Sequence, residues 1–409
     1  MGVQNLLPLI QGVSKRCRLD EYKGKRVAID GFVWLHRSSY RCSRELVNDP
    51  SSEAFLPFVM HKIQKVISCG LTPVVVFDGQ SLPQKANTNS KRHKDRAEAK
   101  ERALLLDSQG QSDLAVSFYQ KAVEITSATV YTWIKQLRKI GVEYIVAPYE
   151  ADAQLAYLCR THYVDCVMTE DSDLLAYQTP LILFKYDDYS QTVMSVKLDD
   201  VLSHLQLTAE QFIAVCCLSG CDYMEHINRL GIQTALKLIR AHSDPYVLLD
   251  VIRKEGKFNV PENYEEQLKN AMLTFQAQKV YDPREKTLKT LTPVDEAPDF
   301  LGANISRELL LKIVSGKIDA KTHENLAPSL TFDCLTTKQT ERSQSQQFDS
   351  QSQQLNPQSQ LSAESQPVPF EKKSQSQYFN FYRAPTSKKR VVPQKQYSAK
   401  SIQSYFQKV

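Results

Sequence analysis

Seven acidic residues of this chain fall where a fold could bring them together. Asp30 closes the apolar run RVAID (residues 26–30) and Asp78 closes PVVVFD (73–78). Glu150 and Asp152 follow an apolar run and a proline in APYEADAQLAY, Asp171 and Asp173 lie in TEDSDLLAY directly after VDCVM, and Asp222 lies in SGCDY. Singly, each has a plain reading: an acid after a strand is commonly a turn residue or helix cap, and acids in a first helical turn favour the dipole. Seven such coincidences are harder to sustain than one convergence. Converging acids repel. Two like charges ~4 Å apart cost about 4 kcal/mol at an effective dielectric of 20, so several pairs would unfold a marginal domain unless cations neutralised them. Carboxylates, in place of His or Cys, select hard Mg2+ or Mn2+ over zinc. Two such ions ~3.5–4 Å apart can activate a water and stabilise the leaving oxygen of a phosphodiester, the chemistry of many nucleases. A structural calcium site is the alternative for the cluster alone, although no EF-hand spacing is present.

Positioning these acids requires strand ends. Short β-rich runs at 26–30, 73–78, 142–147 and 164–169 alternate with helical patterns such as 58–68 and 151–159. Continuous apolar strands separated by helices predict an α/β fold, a mostly parallel central sheet flanked by helices. The carboxyl ends of such strands form the ligand crevice, which directs Asp30 and Asp78 to one site. Residues 81–125 interrupt the alternation with charged helical sequence (KRHKDRAEAKERALLL) and no strand, an inserted helical element. Between 208 and 279, CLSGCDY leads through a turn into LGIQTALKLIRAH, a helix–turn–helix pattern. The expected division is therefore 1–99, an N-terminal region holding the start of the insertion; 100–137, its remainder; 138–229, an internal region; 208–280, an overlapping helical region; and 335–409, a tail.

Composition bounds the rest. With 409 residues and 42% hydrophobic content, the chain can bury a large core. The net charge of +5 does not by itself indicate a nucleic-acid partner, because the clustering of basic residues matters more than their sum. Residues 335–409 are Gln- and Ser-rich with few aliphatics, a composition expected to be disordered, and carry 11 Lys and Arg against 4 Asp and Glu. The remainder is then slightly acidic. Nine cysteines with no C-x-x-C pair argue against a disulfide framework and for a reducing compartment. No apolar run approaches a membrane span and no signal peptide is evident, so a soluble, intracellular protein without a membrane partner is expected.

MGVQNLLPLI, VAIDGFVWLH, VVFDG, APYEADAQLAYL, TEDSDLLAY and LSGCDY, in this order, resemble the flap endonuclease superfamily of structure-specific 5′ nucleases over residues 1 to about 300. WLHRS and the spacing of the acids look closest to its duplex-degrading exonucleases. The resemblance implies a PIN-like nuclease core, an active site spanned by a helical arch, and a helix–two-turn–helix element that grips duplex DNA. It assigns Asp30, Asp78, Glu150 and Asp152 to one Mg2+ and Asp171, Asp173 and Asp222 to a second, with Mn2+ able to substitute. By the same resemblance Lys85, Arg92 and Arg96 match arch-base positions that steer the scissile phosphate, and Lys85 and Arg92 take catalytic roles. His36 matches a position that wedges at the DNA junction, Tyr40 follows it on the same predicted helix, and Gly2 matches an N-terminal glycine beside the site. The family's duplex-gripping turn reads Gly-hydrophobic-Gly. Here it is Arg229-Leu230-Gly231, which puts the K+ site of that turn in question and offers Arg229 as a phosphate contact.

The expected activity is 5′→3′ hydrolysis of double-stranded DNA bearing a 5′ end, nick, gap or flap, with secondary flap cutting, by a monomer acting in DNA repair, including mismatch repair and end resection. The rivals are a dedicated flap endonuclease and a catalytically idle DNA-binding scaffold. In the tail, SKKR (387–390) suggests nuclear import. Tyr378 and Phe379 resemble a mismatch-repair partner motif, and Ile402, Tyr405 and Phe406 have the spacing of a sliding-clamp peptide in which Ala399 replaces the expected glutamine.

Overall fold

The computed structural model describes residues 2–326, so the tail and its motif residues Tyr378, Phe379, Ile402, Tyr405 and Phe406 lie outside the described residues. Strands β1 (Lys15–Arg18), β2 (Arg26–Asp30), β3 (Thr72–Phe77), β4 (Glu143–Val146), β5 (Cys166–Met168), β6 (Leu181–Asp187) and β7 (Thr192–Lys197) form one sheet in the order β1-β7-β6-β5-β2-β3-β4. β6, β5, β2, β3 and β4 pair in parallel, and β7 and β1 extend the β6 edge antiparallel. That edge adds to the parallel core the apolar runs predict. LILFKYD and TVMSVK are joined by only four residues, too few for a crossover helix, and so must return antiparallel.

Both faces of the sheet are covered because successive side chains point to opposite sides. Ala28, Val74 and Val76 face one core, while Val27, Ile29, Val75 and Phe77 face the other. From central β2 the chain passes to β3 and β4 on one side and then crosses back to β5 and β6 on the other. The order therefore reverses beside β2, and a crevice opens at the carboxyl ends of β2, β3 and β5.

The charged insertion is a helical hairpin, Ala86–Ser108 and Ser112–Ala122. It buries little beyond Ala99, Ala103 and Leu106 against Ala115, Tyr119 and Ala122, and the Tyr119 hydroxyl donates to Asp107 Oδ2 at 2.6 Å. Small residues allow close approach of the helices while the remaining charge stays in water. Within the span 100–137, the next helix, Ser127–Lys139, belongs to the core: Val130, Trp133, Ile134 and Leu137 lie on one helical face, and Trp133 packs edge-on against Phe77 at 5.3 Å.

Helices Ala209–Leu218, Ile232–His242, Pro245–Glu255 and Tyr264–Ala277 form the second helical region, followed by the hairpin of β8 (Lys279–Asp282) and β9 (Thr287–Thr290). Thr208 starts the first helix with a capping box closed by Gln211. Among the described residues all eight cysteines are free, and no single helix is long and apolar enough to cross a membrane.

Candidate active site

Asp30, Asp78, Glu150, Asp152, Asp171, Asp173 and Asp222 all line one cleft of about 1520 Å³ at the crevice defined above, together with Lys85, Arg92, Arg96, His36 and Tyr40. Asp30 ends β2 and caps helix Gly31–Ser39, its Oδ1 accepting from Val33 N at 3.1 Å. Asp78 follows β3 and accepts from Ala151 N at 2.8 Å, so it caps a helix supplied by another part of the chain. Capping and convergence are thus both true: each cap consumes one oxygen and leaves the carboxylate in the cleft. Glu150 stands at the N-cap of Ala151–Arg160 but makes no side-chain cap bond; its Oε2 instead accepts from Lys85 Nζ.

Three glycines bring the backbone elements this close. A Cβ on Gly31 would meet the Phe77 ring, and one on Gly79 would meet the Ala147 carbonyl oxygen at 1.9 Å. Gly79 N donates to Tyr149 O at 2.7 Å and Gln80 N to Pro148 O at 3.1 Å, so beyond the last β3–β4 pair, Phe77 with Val146, main-chain bonds tie the segment after Asp78 to the one before Glu150. Gly2, at φ +85°, sits against Asp171 and Ser172, where a Cβ would lie 2.3 Å from Asp171 Oδ1. Thr169 joins the two sides of the crevice. Its hydroxyl donates to Asp30 Oδ2 at 2.8 Å and accepts from Asp171 N at 3.0 Å, while Asp171 Oδ1 accepts from Asp173 N at 3.0 Å.

The acids are charged at a cost. Burial, then repulsion by Asp78, pushes the Asp30 carboxyl up to about 7. Burial and Glu150 push Asp78 up to about 6, and burial and Asp171 push Asp173 up to about 8. Asp152 rises well above the carboxylate range through burial and its neighbours Asp171 and Asp30. Asp173 Oδ1 is buried and has no hydrogen-bond partner among the described residues. Among the described residues no group of three such side chains stands ready-made to hold an ion. The buried ammonium of Lys85 lies inside the cluster and bridges Glu150 and Asp222, the latter at 3.6 Å.

Lys85 ends the short turn Pro83–Lys85 at the base of the helical hairpin, and Arg92 lies two turns further on, donating to Asp222 Oδ2 at 2.8 Å. Arg96 Nε donates to Arg92 O at 3.2 Å. Thr274 holds Gln84, next to Lys85, at 2.6 Å, so helix Tyr264–Ala277 anchors the hairpin base. Tyr177 and Tyr223, hydrogen-bonded through their hydroxyls, both pack edge-on against Phe275 beneath Lys85. His36 lies on Gly31–Ser39, and burial, then Arg96 and Arg92, lower its pKa, so its ring is neutral at pH 7. Tyr40 falls just past that helix, in a separate short turn, exposed at the cleft.

Arg229 and Gly231 are not in the cleft; they end the loop between Ala209–Leu218 and Ile232–His242. Arg229 adopts φ +69°, the left-handed conformation that a glycine would take freely. Arg229 holds that conformation with a side chain in place, at a strain of roughly 1–2 kcal/mol. Gly231 precedes an 11-residue helix, and a Cβ there would meet nothing within 4 Å.

Family models for the XPG N-terminal domain and the XPG I-region match residues 1–99 and 141–222. DNA damage-inducible protein DIN7 of Saccharomyces cerevisiae is 33% identical over 304 residues, which cover 73% of this chain and 70% of that protein. The chain belongs to the XPG and flap endonuclease superfamily. Within it, the chain is similar to exodeoxyribonuclease 1 of Schizosaccharomyces pombe, 32% identical over 78% of this chain, and spans 57% of that relative's length. Among solved structures, flap endonuclease-1 of Methanococcus jannaschii is 20% identical, with 76% of this chain and 91% of that chain covered at a TM-score of 0.47.

Proposed function

We propose that the protein is a Mg2+-dependent 5′→3′ exonuclease of double-stranded DNA with 5′-flap endonuclease activity. The observation that carries this reading is the cleft of seven acids whose charge the protein leaves largely uncompensated, one buried oxygen of Asp173 having no partner among the described residues, beside a basic hairpin base. An all-oxygen donor set that burial and repulsion drive toward protonation fits hard divalent cations. Asp30, Asp78, Glu150 and Asp152 would hold one ion and Asp171, Asp173 and Asp222 the other, with Mn2+ as a substitute. When bound, such ions supply an activated water and stabilise the leaving oxygen of a phosphodiester.

The chain's own residues do the rest. Lys85 and Arg92 hold the scissile phosphate and offset charge as it develops, and Arg96 extends this basic surface along the hairpin. Thr169 keeps the two groups of acids in register. Neutral His36 and exposed Tyr40 meet DNA at the cleft mouth, where a ring can lie against an unstacked base pair. Gly2, lacking a side chain, lets the N-terminal backbone pack directly on Asp171 and Ser172 beside the strand's path. The loop ending at Arg229 and Gly231 opens the N-terminal amides of helix Ile232–His242 toward a duplex phosphate, with Arg229 adding its charge, and the carbonyls of the same turn would be the groups to hold a K+ ion. The substrates are duplexes with a 5′ end, nick, gap or flap. The setting is DNA repair in the nucleus, including mismatch repair and end resection, by a monomer whose tail docks a mismatch-repair protein or a sliding clamp.

The test is parallel digestion of labelled blunt, recessed and 5′-flap duplexes with Mg2+ and with EDTA. Mg2+-dependent release of short products from blunt or recessed 5′ ends is expected. Cutting confined to flap junctions would make the protein a dedicated flap endonuclease, and binding without cutting an idle scaffold.

A further inference from the structure

Residues 317–326 form a compact hairpin after helix Arg307–Val314, closed by a bridge between Ile318 and Asn325 and by Leu326 N donating to Lys317 O at 2.9 Å. The Asp319 carboxylate shapes its turn, accepting from Lys321 N at 2.6 Å and Thr322 N at 3.0 Å, and lies near Ser127 at the start of the core helix Ser127–Lys139. Ile318 and Ala320 are buried beneath the hairpin, and His323 meets Gln80, two residues past Asp78, at 3.0 Å. Together these contacts form a rigid mount. On it, Lys321 is exposed, lines the same cleft as the acids, and has no ion-pair partner among the described residues. Its charge reaches Asp78, where it counters part of the upward push on that carboxyl.

Lys85 and Arg92 already have carboxylate partners, whereas Lys321 points a free ammonium into a cleft built for a polyanion. Holding a lysine still at such a place costs side-chain entropy, and a backbone phosphate returns it through a charge-assisted hydrogen bond. We infer that the hairpin 317–326 is a further DNA-phosphate contact of the cleft, in which Lys321 pairs with a backbone phosphate and Asp319 is the residue that positions it. This rests on the nuclease reading above. A competing role is a simple counter-charge for Asp78, which would act on Mg2+ binding and not on DNA.

The experiment measures binding of the full chain to a fluorescent 5′-recessed duplex in EDTA across a range of KCl, with Mg2+-dependent cleavage measured alongside. For Lys321→Gln the slope of log K against log salt is expected to fall by about 0.9, the loss of one duplex phosphate contact. Lys321→Arg is expected to keep the wild-type slope. Asp319→Asn should weaken binding in the wild-type background and add little in Lys321→Gln, as coupled residues do. An unchanged slope in Lys321→Gln, a shift only in the Mg2+ needed for half-maximal cleavage, or a loss in Lys321→Arg equal to that in Lys321→Gln would each overturn the inference. A wild-type chain that neither binds nor cuts DNA would instead overturn the nuclease reading itself.

Discussion

Asp173 and Asp282 are equally hidden from solvent, each 6% exposed, and behave oppositely. Burial works against the charge of Asp282 too. It is outweighed by Lys289 at 2.9 Å, by the N–H groups of Arg284 and Glu285, and by the Tyr157 hydroxyl at 3.0 Å, which together hold the carboxyl down to about 2. Asp173 has Asp171 for a neighbour and one oxygen with no partner among the described residues, and burial and repulsion push it up to about 8. Solvent exposure alone therefore says little about what an acid is for; how deep it lies and the donors around it decide. A satisfied acid ties β8–β9 to the core helix Ala151–Arg160, and an unsatisfied one is held ready for a ligand from outside.

Substitutions at the two positions should separate these roles. Asp173→Asn is expected to reduce Mg2+-dependent cleavage of a labelled duplex by about 10²-fold or more, while the melting temperature in EDTA stays level or rises. A large drop in that melting temperature would mean that Asp173 is structural and the contrast false. Asp282→Asn should do the reverse, costing about 2 kcal/mol in urea unfolding at pH 7 with cleavage per folded molecule unchanged.

The titrations extend the comparison to pH. Asp78, Asp30 and Asp173 have folded values raised to about 6, 7 and 8. Stability from raised carboxyls is fully present below about pH 4 and is lost as pH rises through 6 to 8. The metal-free chain should therefore lose stability across that window, and Mg2+ should raise the melting temperature by a few degrees more at pH 8 than at pH 5.5. Equal gains at both pH values would break the assignment. Smallest is Thr169→Val, which removes the hydroxyl linking Asp30 to Asp171; it should lower cleavage roughly tenfold with little change in duplex binding measured in EDTA.

Much of this contrast could be read from the sequence on one side only. Asp30 and Asp78 stand out because they end apolar strands, and the parallel core follows from the same runs. Asp282 and its partners Tyr157 and Lys289 are spread over more than a hundred residues, and no local pattern links them. Thr169 was within reach, since a hydroxyl between VDCVM and two acids can bond to both sides, but its partner Asp30 is set by tertiary pairing. The core helix Ser127–Lys139 follows the charged insertion so closely in sequence that its apolar face alone marks the boundary. Nothing in IDAKTH announces Lys321, because the wall it occupies exists only once residues 317–326 fold back over Ser127 and Gln80.

The bonds from Gly79 and Gln80 to Tyr149 and Pro148 have a consequence for how the cleft tolerates change. The span between Asp78 and Glu150 is carried by main chain from one side to the other, so it behaves as a fixed dimension that side-chain replacement in the surrounding core hardly alters. What it cannot absorb is a change of count. One residue inserted between Phe77 and Asp78 would put Asp78 out of step with the strand that carries it, and that acid would leave the cleft even though every residue type was retained.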